Sequence, residues 1–417
     1  MERLPGFRDF YPEPLPHPDV GSADARQFIF ENWRTVARRY NFREYDGPPL
    51  EPLELFTTKS GDEIVGQLYN FTDKGERQVA LRPEMTPTLA RMVASHERQY
   101  KKPIKWFAIP QLYRYERQQK GRLREHFQFN ADIIGEKDPA ADAELIALLV
   151  DTLRSFGLTQ ADFVIRLSSR NAWQDFFDRH GGNSGDPTAR AYEFFQIIDK
   201  LERMPESETE KKLSALGLSL AGVNQFIESA TPTAELESIL GNLRARGLEE
   251  FIKVDYHVIR GLAYYTGVVF EAFDRKGAFR AIAGGGRYDN LVKLISGGRT
   301  DMPALGFGMG DVVLRELLVE RKLLPPFEPS VDVFILIDDE NQRAPSLRLI
   351  SDLRAAGASV EYSFCPSKTD KQFKRAQELK AKFTIQVENG SQGRLRNLQT
   401  SEEKLLPLDQ VGPAVRG

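Results

Sequence analysis

Hydrophobic and polar positions alternate with period two along residues 106–135, in two runs that flank a short basic loop containing one glycine. That pattern predicts an antiparallel β-hairpin. In the first run Arg114 and Glu116 share one face, while Tyr113 and Tyr115 share the other. In the second, Gln128, Asn130 and Asp132 alternate with Phe127 and Phe129. One face can therefore pack aromatics, and the opposite face carries a cation, carboxylates and amides. The loop from Gln118 to Glu125 adds Lys120, Arg122 and Arg124. A polar face this dense is costly to bury without partners. It is either a solvated strand face or a ligand surface. Guanidinium groups suit phosphates, and carboxylates with amides suit an amine-bearing molecule with ring nitrogens.

The other elements follow from the same kind of pattern. Phe28, Ile29, Trp33, Val36, Ala37 and Tyr40 recur at helical spacing behind a candidate N-cap, Ser22, which predicts a helix over about 23–40. Its apolar stripe suits packing on a sheet or a dimer interface equally. Pro48 and Pro49 allow only an edge strand or a strand start. Residues 69–74 and 77–82 read as a second hairpin. It leads to LRPEMTPTLARMV, where Thr86 is expected to cap a helix running through Met92. Glu84 falls on that strand-to-helix turn, a position for either a ligand-binding carboxylate or an ordinary surface residue.

Further along, 138–156 predicts an amphipathic helix and 163–167 a strand. From Ser169 to about Gly247 the pattern is helical throughout, and strand-like sequence resumes at 254–273. The middle block is thus expected to be a helical insertion within one domain. Gly284 to Gly286 allow close approach of a backbone or ligand. PALGFGMG predicts a strand with room on one face, and Asp311 a cap for the helix after it. Pro325, Pro326 and Pro329 mark a linker. Beyond it the pattern runs β-α-β-α-β-β, a small α/β domain with a mostly parallel sheet.

Composition narrows the class. Hydrophobic content is 41% and charged content 28%, as in ordinary globular proteins. The formal net charge of -3 supplies no global attraction to nucleic acid, so any such contact must be local. One local patch exists: between Lys368 and Arg396 eight lysines and arginines face three acids, a balance that suits an RNA backbone or a solvated helix face. The single cysteine, Cys365, excludes an intrachain disulfide and a cysteine zinc site. The five histidines lack metal-ligand spacing, and a Walker A loop is absent. The start has no apolar segment of signal-peptide type, and no apolar run approaches the ~18 residues of a membrane span. A cytoplasmic location is expected.

Taken together, LRPEMT (81–86), YRYERQQKGRLREHFQ (113–128), RGLAYYTGVVFE (260–271), GGGRYDNL (284–291) and GFGMG (306–310) resemble the histidyl-tRNA synthetases, a family of class II aminoacyl-tRNA synthetases. The resemblance covers nearly the whole chain. It implies an α+β fold: a class II catalytic domain over 1–325, built on an antiparallel sheet of six or seven strands, with a helical insertion at about 170–247. An anticodon-binding α/β domain over 330–417 would follow. It also implies a homodimer, with the 23–40 helix and Pro48 matching the family's interface motif. The implied reaction activates L-histidine with ATP and Mg2+ to histidyl-adenylate, then passes histidine to the 3′ end of tRNA(His).

The resemblance assigns residues as well. Arg114 and Arg260 match the family's arginines on the α-phosphate. Glu116 matches an adenine-side contact and Arg122 a contact to the outer phosphates. Glu84, Met85, Thr86, Gln128, Asp132 and again Arg260 match the histidine-binding positions, with Tyr264 and Tyr265 lining the imidazole pocket. Arg117 and Gln119 match the loop positions that meet the tRNA acceptor end. No protein metal ligand is assigned. Four positions depart from the family pattern. Val313 replaces an arginine that usually stacks on adenine, and Ala263 replaces a carboxylate. Asp132 is a methylene shorter than the frequent glutamate, and Gln118 stands where proline is common. A non-catalytic paralogue, the histidine-sensing regulatory subunit of ATP phosphoribosyltransferase, shares the catalytic fold. It is the alternative, although it typically lacks the C-terminal domain and the phosphate arginines. A prolyl- or threonyl-type synthetase fits RGLAYYTG less well.

Overall fold

A computed structural model describes residues 2–17, 20–57, 66–115, 123–181, 186–201, 204–259, 264–327 and 330–416. The chain forms two compact units. One comprises Met1–Phe10 with Asp19–Pro325, the other Tyr11–Pro18 with Pro326–Gly417.

The first unit begins with α1 (Ala23–Arg39), whose N-cap Ser22 accepts from the Ala25 N–H. A short strand β1 (Arg43–Glu44) follows. A small antiparallel sheet comprises β2 (Leu50–Pro52), β3 (Asn70–Thr72) and β4 (Gln78–Leu81). Next come α2 (Thr86–His96), β5 (Ile104–Ala108), β6 (Gln111–Tyr113), β7 (Glu125–Ile134), α3 (Ala140–Arg154) and β8 (Phe163–Ser169). Five helices, α4 (Arg170–His180), α5 (Pro187–Asp199), α6 (Glu206–Ala215), α7 (Leu220–Ser229) and α8 (Ala234–Ala245), precede β9 (Ile252–Val254). The unit closes with β10 (Val268–Asp274), β11 (Ala283–Arg287), β12 (Ala304–Gly310) and α9 (Asp311–Glu320).

Among the described residues nine strands make the large sheet, in the order β9-β8-β10-β11-β12-β7-β5-β1, with β6 paired to β7. The interior pairs are all antiparallel. The two edge pairs, β8 with β9 and β5 with β1, are parallel. The α+β class II fold is therefore present. Its six antiparallel strands and β6 match the expected number, and the parallel edge strands enlarge the sheet beyond it.

The alternation in β7 divides the site from the core. Phe129 is buried and stacks on Trp33 of α1 at 5.6 Å, with Phe107 and Phe307 edge-on at 5.9 and 5.6 Å. The apolar stripe of α1 is thus spent on the sheet, through Ile29, Trp33, Val36 and Ala37. With period two, Gln128, Asn130 and Asp132 must emerge on the other face.

Several local expectations are corrected. The helix after LRPEM extends to His96, and its N-cap is Met85 with no side-chain cap bond; Thr86 is already helical, and Pro87 sits in the first turn. Asp311 is likewise the first residue of α9, not its cap; its carboxylate is committed elsewhere. The strand expected over 254–273 splits into β9 and β10 around a turn at Tyr256–His257. The 138–156 helix is shorter, and it is buried on nearly every side because α1 lies on one flank and α8 on another.

The second unit carries β13 (Val333–Leu336), α10 (Arg343–Ala355), β14 (Val360–Tyr362), α11 (Thr369–Glu378), β15 (Phe383–Glu388), β16 (Gln392–Asn397), β17 (Glu403–Pro407) and α12 (Leu408–Arg416). The order is β14-β13-β15-β16-β17, parallel in the first three and antiparallel thereafter. The sheet is mixed because two hairpins finish it. Part of the basic patch is paired: Lys382 with Asp332, Arg375 with Glu378, and Arg394 and Arg396 with Glu403. Lys368, Lys371 and Lys374 remain exposed along α11.

Candidate functional site

The polar face of β7 lies against a strand of glycines. Gln128, Asn130 and Asp132 pair in register with Gly310, Gly308 and Gly306 of β12. A Cβ at Gly306 would stand 1.9 Å from Asp132 Oδ1, and one at Gly308 would stand 2.7 Å from Gln128 Cδ. Gly284 of β11 pairs with Gly308 and lines the same space, while a Cβ at Gly285 would meet the Gly306 carbonyl at 2.3 Å and Phe307 on the core side. The glycines of GGGRYDNL and GFGMG thus form a floor across which longer polar side chains can lie.

Over that floor opens a cavity lined chiefly by Glu84, Thr86, Arg114, Gln128, Asn130, Asp132, Tyr264, Tyr265 and Tyr288. Seven of the residues assigned by resemblance meet here: Glu84, Thr86, Arg114, Gln128, Asp132, Tyr264 and Tyr265. Met85 is not among the lining residues; it is fully buried, with Sδ 3.8 Å from Arg82 Nη1. Glu116, Arg117, Gln119 and Arg122, like Arg260 and Ala263, lie outside the described residues. Val313 packs against the main core.

Two buried carboxylates face this space, each tied to a tyrosine. The Tyr264 hydroxyl donates to Glu84 Oε2 at 2.7 Å, and the Tyr288 hydroxyl donates to Asp132 Oδ1 at 2.6 Å. Burial pushes the Asp132 carboxyl up to about 7, and the Tyr288 hydrogen bond offsets only part of that rise. Burial, with Asp132 alongside, holds the Tyr288 phenol well above its ordinary range, so it remains a donor. A cationic or N–H-bearing ligand would restore the charge on Asp132.

Arg114 stands at the other side. Its Nε donates to the Pro83 carbonyl at 3.0 Å, and its backbone N–H donates to Arg124 O at 3.0 Å, continuing the β6–β7 hairpin one step past Tyr113. His126 nearby is neutral: burial lowers it to about 3, helped by Arg114 and Arg8.

Asn130 and Tyr288 line the cavity without having been assigned a role. Asn130 was legible in the alternation itself, and Tyr288 sits inside the quoted GGGRYDNL motif, where a tyrosine two places after a glycine run was the available signal. Among the described residues no group of three His, Cys, Asp or Glu is placed to hold a metal ion, and no helix is long and apolar enough to cross a membrane.

Residues 19–311 match the family model described as histidyl-tRNA synthetase. The chain is 46% identical to a histidine–tRNA ligase of Opitutus terrae, an alignment covering 100% of this chain and 98% of that protein. It is 39% identical to the chloroplastic/mitochondrial histidine–tRNA ligase of Arabidopsis thaliana, over 92% of this chain and 79% of that protein. In fold it is similar to the apo histidyl-tRNA synthetase of S. aureus, with a TM-score of 0.75, 24% identity and full coverage of both chains. A protein from Bacillus halodurans described as an ATP phosphoribosyltransferase regulatory subunit/histidyl-tRNA synthetase gives a TM-score of 0.72 at 22% identity, over 92% of this chain and 97% of that one. The fold alone is therefore shared by both readings, and sequence identity separates them in favour of the ligase.

Proposed function

The chain belongs to the histidyl-tRNA synthetase family, and from that premise we propose that it is an ATP-dependent histidine–tRNA ligase whose amino-acid site is the glycine-floored cavity of the first unit. The observation that carries this reading is the pair of buried carboxylates, Glu84 and Asp132, each pinned by a tyrosine hydroxyl. Histidine brings an ammonium group and an imidazole. Glu84, Thr86, Gln128 and Asp132 hold the polar end of the substrate, and Tyr264 and Tyr265 line the imidazole. A site whose buried groups need N–H partners rejects amino acids that lack them, because those groups would be left unpaired.

The first step joins a carboxylate oxygen of histidine to the α-phosphorus of ATP and breaks the bond to pyrophosphate. Its barrier is set by charge gathering on the phosphate and by alignment of the reactants. Arg114, braced on the Pro83 carbonyl, supplies a fixed guanidinium there, and Arg260 supplies the second. Glu116 takes the adenine side and Arg122 the outer phosphates. Magnesium would be supplied with ATP as part of that substrate and would offset charge on its phosphates. In the second step the terminal ribose hydroxyl of tRNA(His) attacks the carbonyl carbon, and AMP leaves. Arg117 and Gln119 receive the acceptor end, the second unit takes the anticodon through its Lys368–Lys374 face, and the active form is a homodimer in the cytoplasm.

The test is ATP–pyrophosphate exchange with each of the twenty amino acids. Exchange driven by histidine alone is expected, and Arg114→Ala and Arg260→Ala should abolish it without loss of fold. Histidine binding with no exchange would sink the ligase reading in favour of the regulatory paralogue.

A further inference from the structure

The arm formed by residues 6–8 reaches the root of the β6–β7 hairpin. The β7–β12 ladder ends at Gln128 with Gly310. One step further, the chain after Gly310 has already turned into α9, so the Phe127 N–H meets no strand partner. The Asp311 carboxylate replaces it, accepting from Phe127 N at 2.9 Å. That places a charge in a site where Asp311 is only 5% exposed and neighbouring Glu125 only 1%. Arg8 answers both. Its Nε donates to Glu125 Oε1 and its Nη1 to Asp311 Oδ2, each at 2.8 Å. Gln111 Nε2 donates to the second oxygen of Glu125 at 2.6 Å.

The arm's neighbours on the chain join in. Gly6 O accepts from Arg124 N at 2.9 Å, and Arg124 O accepts from Arg114 N at 3.0 Å. Phe7 packs between Tyr69 and Tyr113, at 6.1 and 6.5 Å. A continuous path of backbone and side-chain bonds thus runs from the arm to Arg114 at the cavity.

We propose that Arg8 is a positioning residue for the phosphate end of the site: by bridging Glu125 at the start of β7 to Asp311 at the start of α9, it fixes the hairpin root from which Arg114 projects. This rests on the reading of the cavity as an ATP-using site. The guanidinium does so by geometry as well as charge, because one planar fork meets two carboxylates on different elements. A lysine keeps the charge but offers a single point of attachment. The expected deficit therefore falls on ATP and spares histidine, whose contacts are Gln128 and Asp132 beyond the root and Glu84, Thr86, Tyr264 and Tyr265 on other segments.

The test is calorimetric titration of the full chain with Mg-ATP, and separately with histidine, for wild type, Arg8→Lys and Arg8→Gln. Melting curves establish that each variant is folded. Arg8→Gln is expected to weaken ATP about tenfold, and Arg8→Lys by less, with histidine affinity unchanged. Asp311→Asn, which keeps an acceptor for Phe127 but removes one charge, should weaken ATP in the same direction. A purely structural arm would lower the melting temperature and move both ligands equally or neither, and either result overturns the proposal. Wild type that binds ATP but shows no histidine-driven exchange would overturn the ligase reading while leaving the ATP comparison decisive for Arg8.

Discussion

Two consecutive residues at the end of β11 hold two buried aspartates in opposite ways. Arg287 meets Asp142 of α3: its Nε lies 3.1 and 3.0 Å from the two carboxylate oxygens, and Nη1 and Nη2 donate to the Glu136 and Asp138 carbonyls at 3.0 Å. Tyr288 meets Asp132 with one neutral hydroxyl. Both carboxylates are almost fully enclosed. The first has a full counter-charge and serves to fasten α3 to the sheet, although burial outweighs Arg287 and pushes this carboxyl up to about 7 as well. The second has a donor but, among the described residues, no ion-pair partner of its own, and it opens onto the cavity. A charge that only supports the fold is matched from within the chain. A charge left under-matched beside an opening is matched by what binds there.

The largest expected effect breaks the matched side. Arg287→Met leaves Asp142 buried without its cation and strands two carbonyls. Stability should fall by about 3 kcal/mol or more in urea denaturation. Arg287→Met combined with Asp142→Leu should recover part of that loss, since an apolar pair does not carry the desolvation cost. A single-variant loss below about 1 kcal/mol would mean that the pair is not the fastening it resembles.

Next comes the under-matched side, where the sign reverses. The Asp132 carboxyl titrates near 7 in the fold, far above the ordinary carboxylate value. Its contribution to stability is thus full below about pH 4 and is lost as pH rises through 7. Asp132→Asn removes that loss. The variant should be more stable than wild type by on the order of 2 kcal/mol at pH 8, with the gain shrinking steadily toward pH 5. Histidine-driven exchange should fall by about a hundredfold or more in the same protein. Denaturation at the two pH values together with the exchange assay checks both halves. Equal stability at both pH values would remove the claim that this carboxylate is held at a cost.

Much of this contrast could be read from the chain, and the unread part has a common cause. The alternation from Phe127 to Asp132 is local, so it assigned each side chain to its face, and Phe129 and Asp132 fall as the period requires. The glycines of GFGMG signalled room on one face without saying for what; the partners of Gly306 and Gly308 are Asp132 and Gln128, more than 170 residues away. Tyr288 with Asp132 and Arg287 with Asp142 are likewise 156 and 145 residues apart, and no periodicity couples such positions. Asp311 shows the limit most plainly. Its residue type and place before a helix signal a cap, but a buried carboxylate beside Arg8 and the Phe127 N–H has a stronger commitment than the first turn of α9 can offer. Local propensity gives way where tertiary partners are charged and enclosed.

The smallest effect sharpens the comparison most, because it alters the donor and leaves the carboxylate. The Tyr288 hydrogen bond lowers the Asp132 pKa from where burial alone would set it. Tyr288→Phe should therefore raise it further, by about one unit, with a stability change of only about 1 kcal/mol. The rise of kcat/KM for histidine with pH reports groups of the free enzyme, so its midpoint should move to higher pH in the variant. The imidazole of the substrate also titrates in this range, but it is common to both proteins and cancels in the difference. The deficit at pH 7 should then close as pH is raised, which a lost packing contact would not do. A midpoint that stays in place would mean that the hydroxyl only fills space beside Asp132. Arg287 provides the control: its neighbouring carboxylate lies outside the cavity lining, so Asp142→Asn should leave that midpoint where it is.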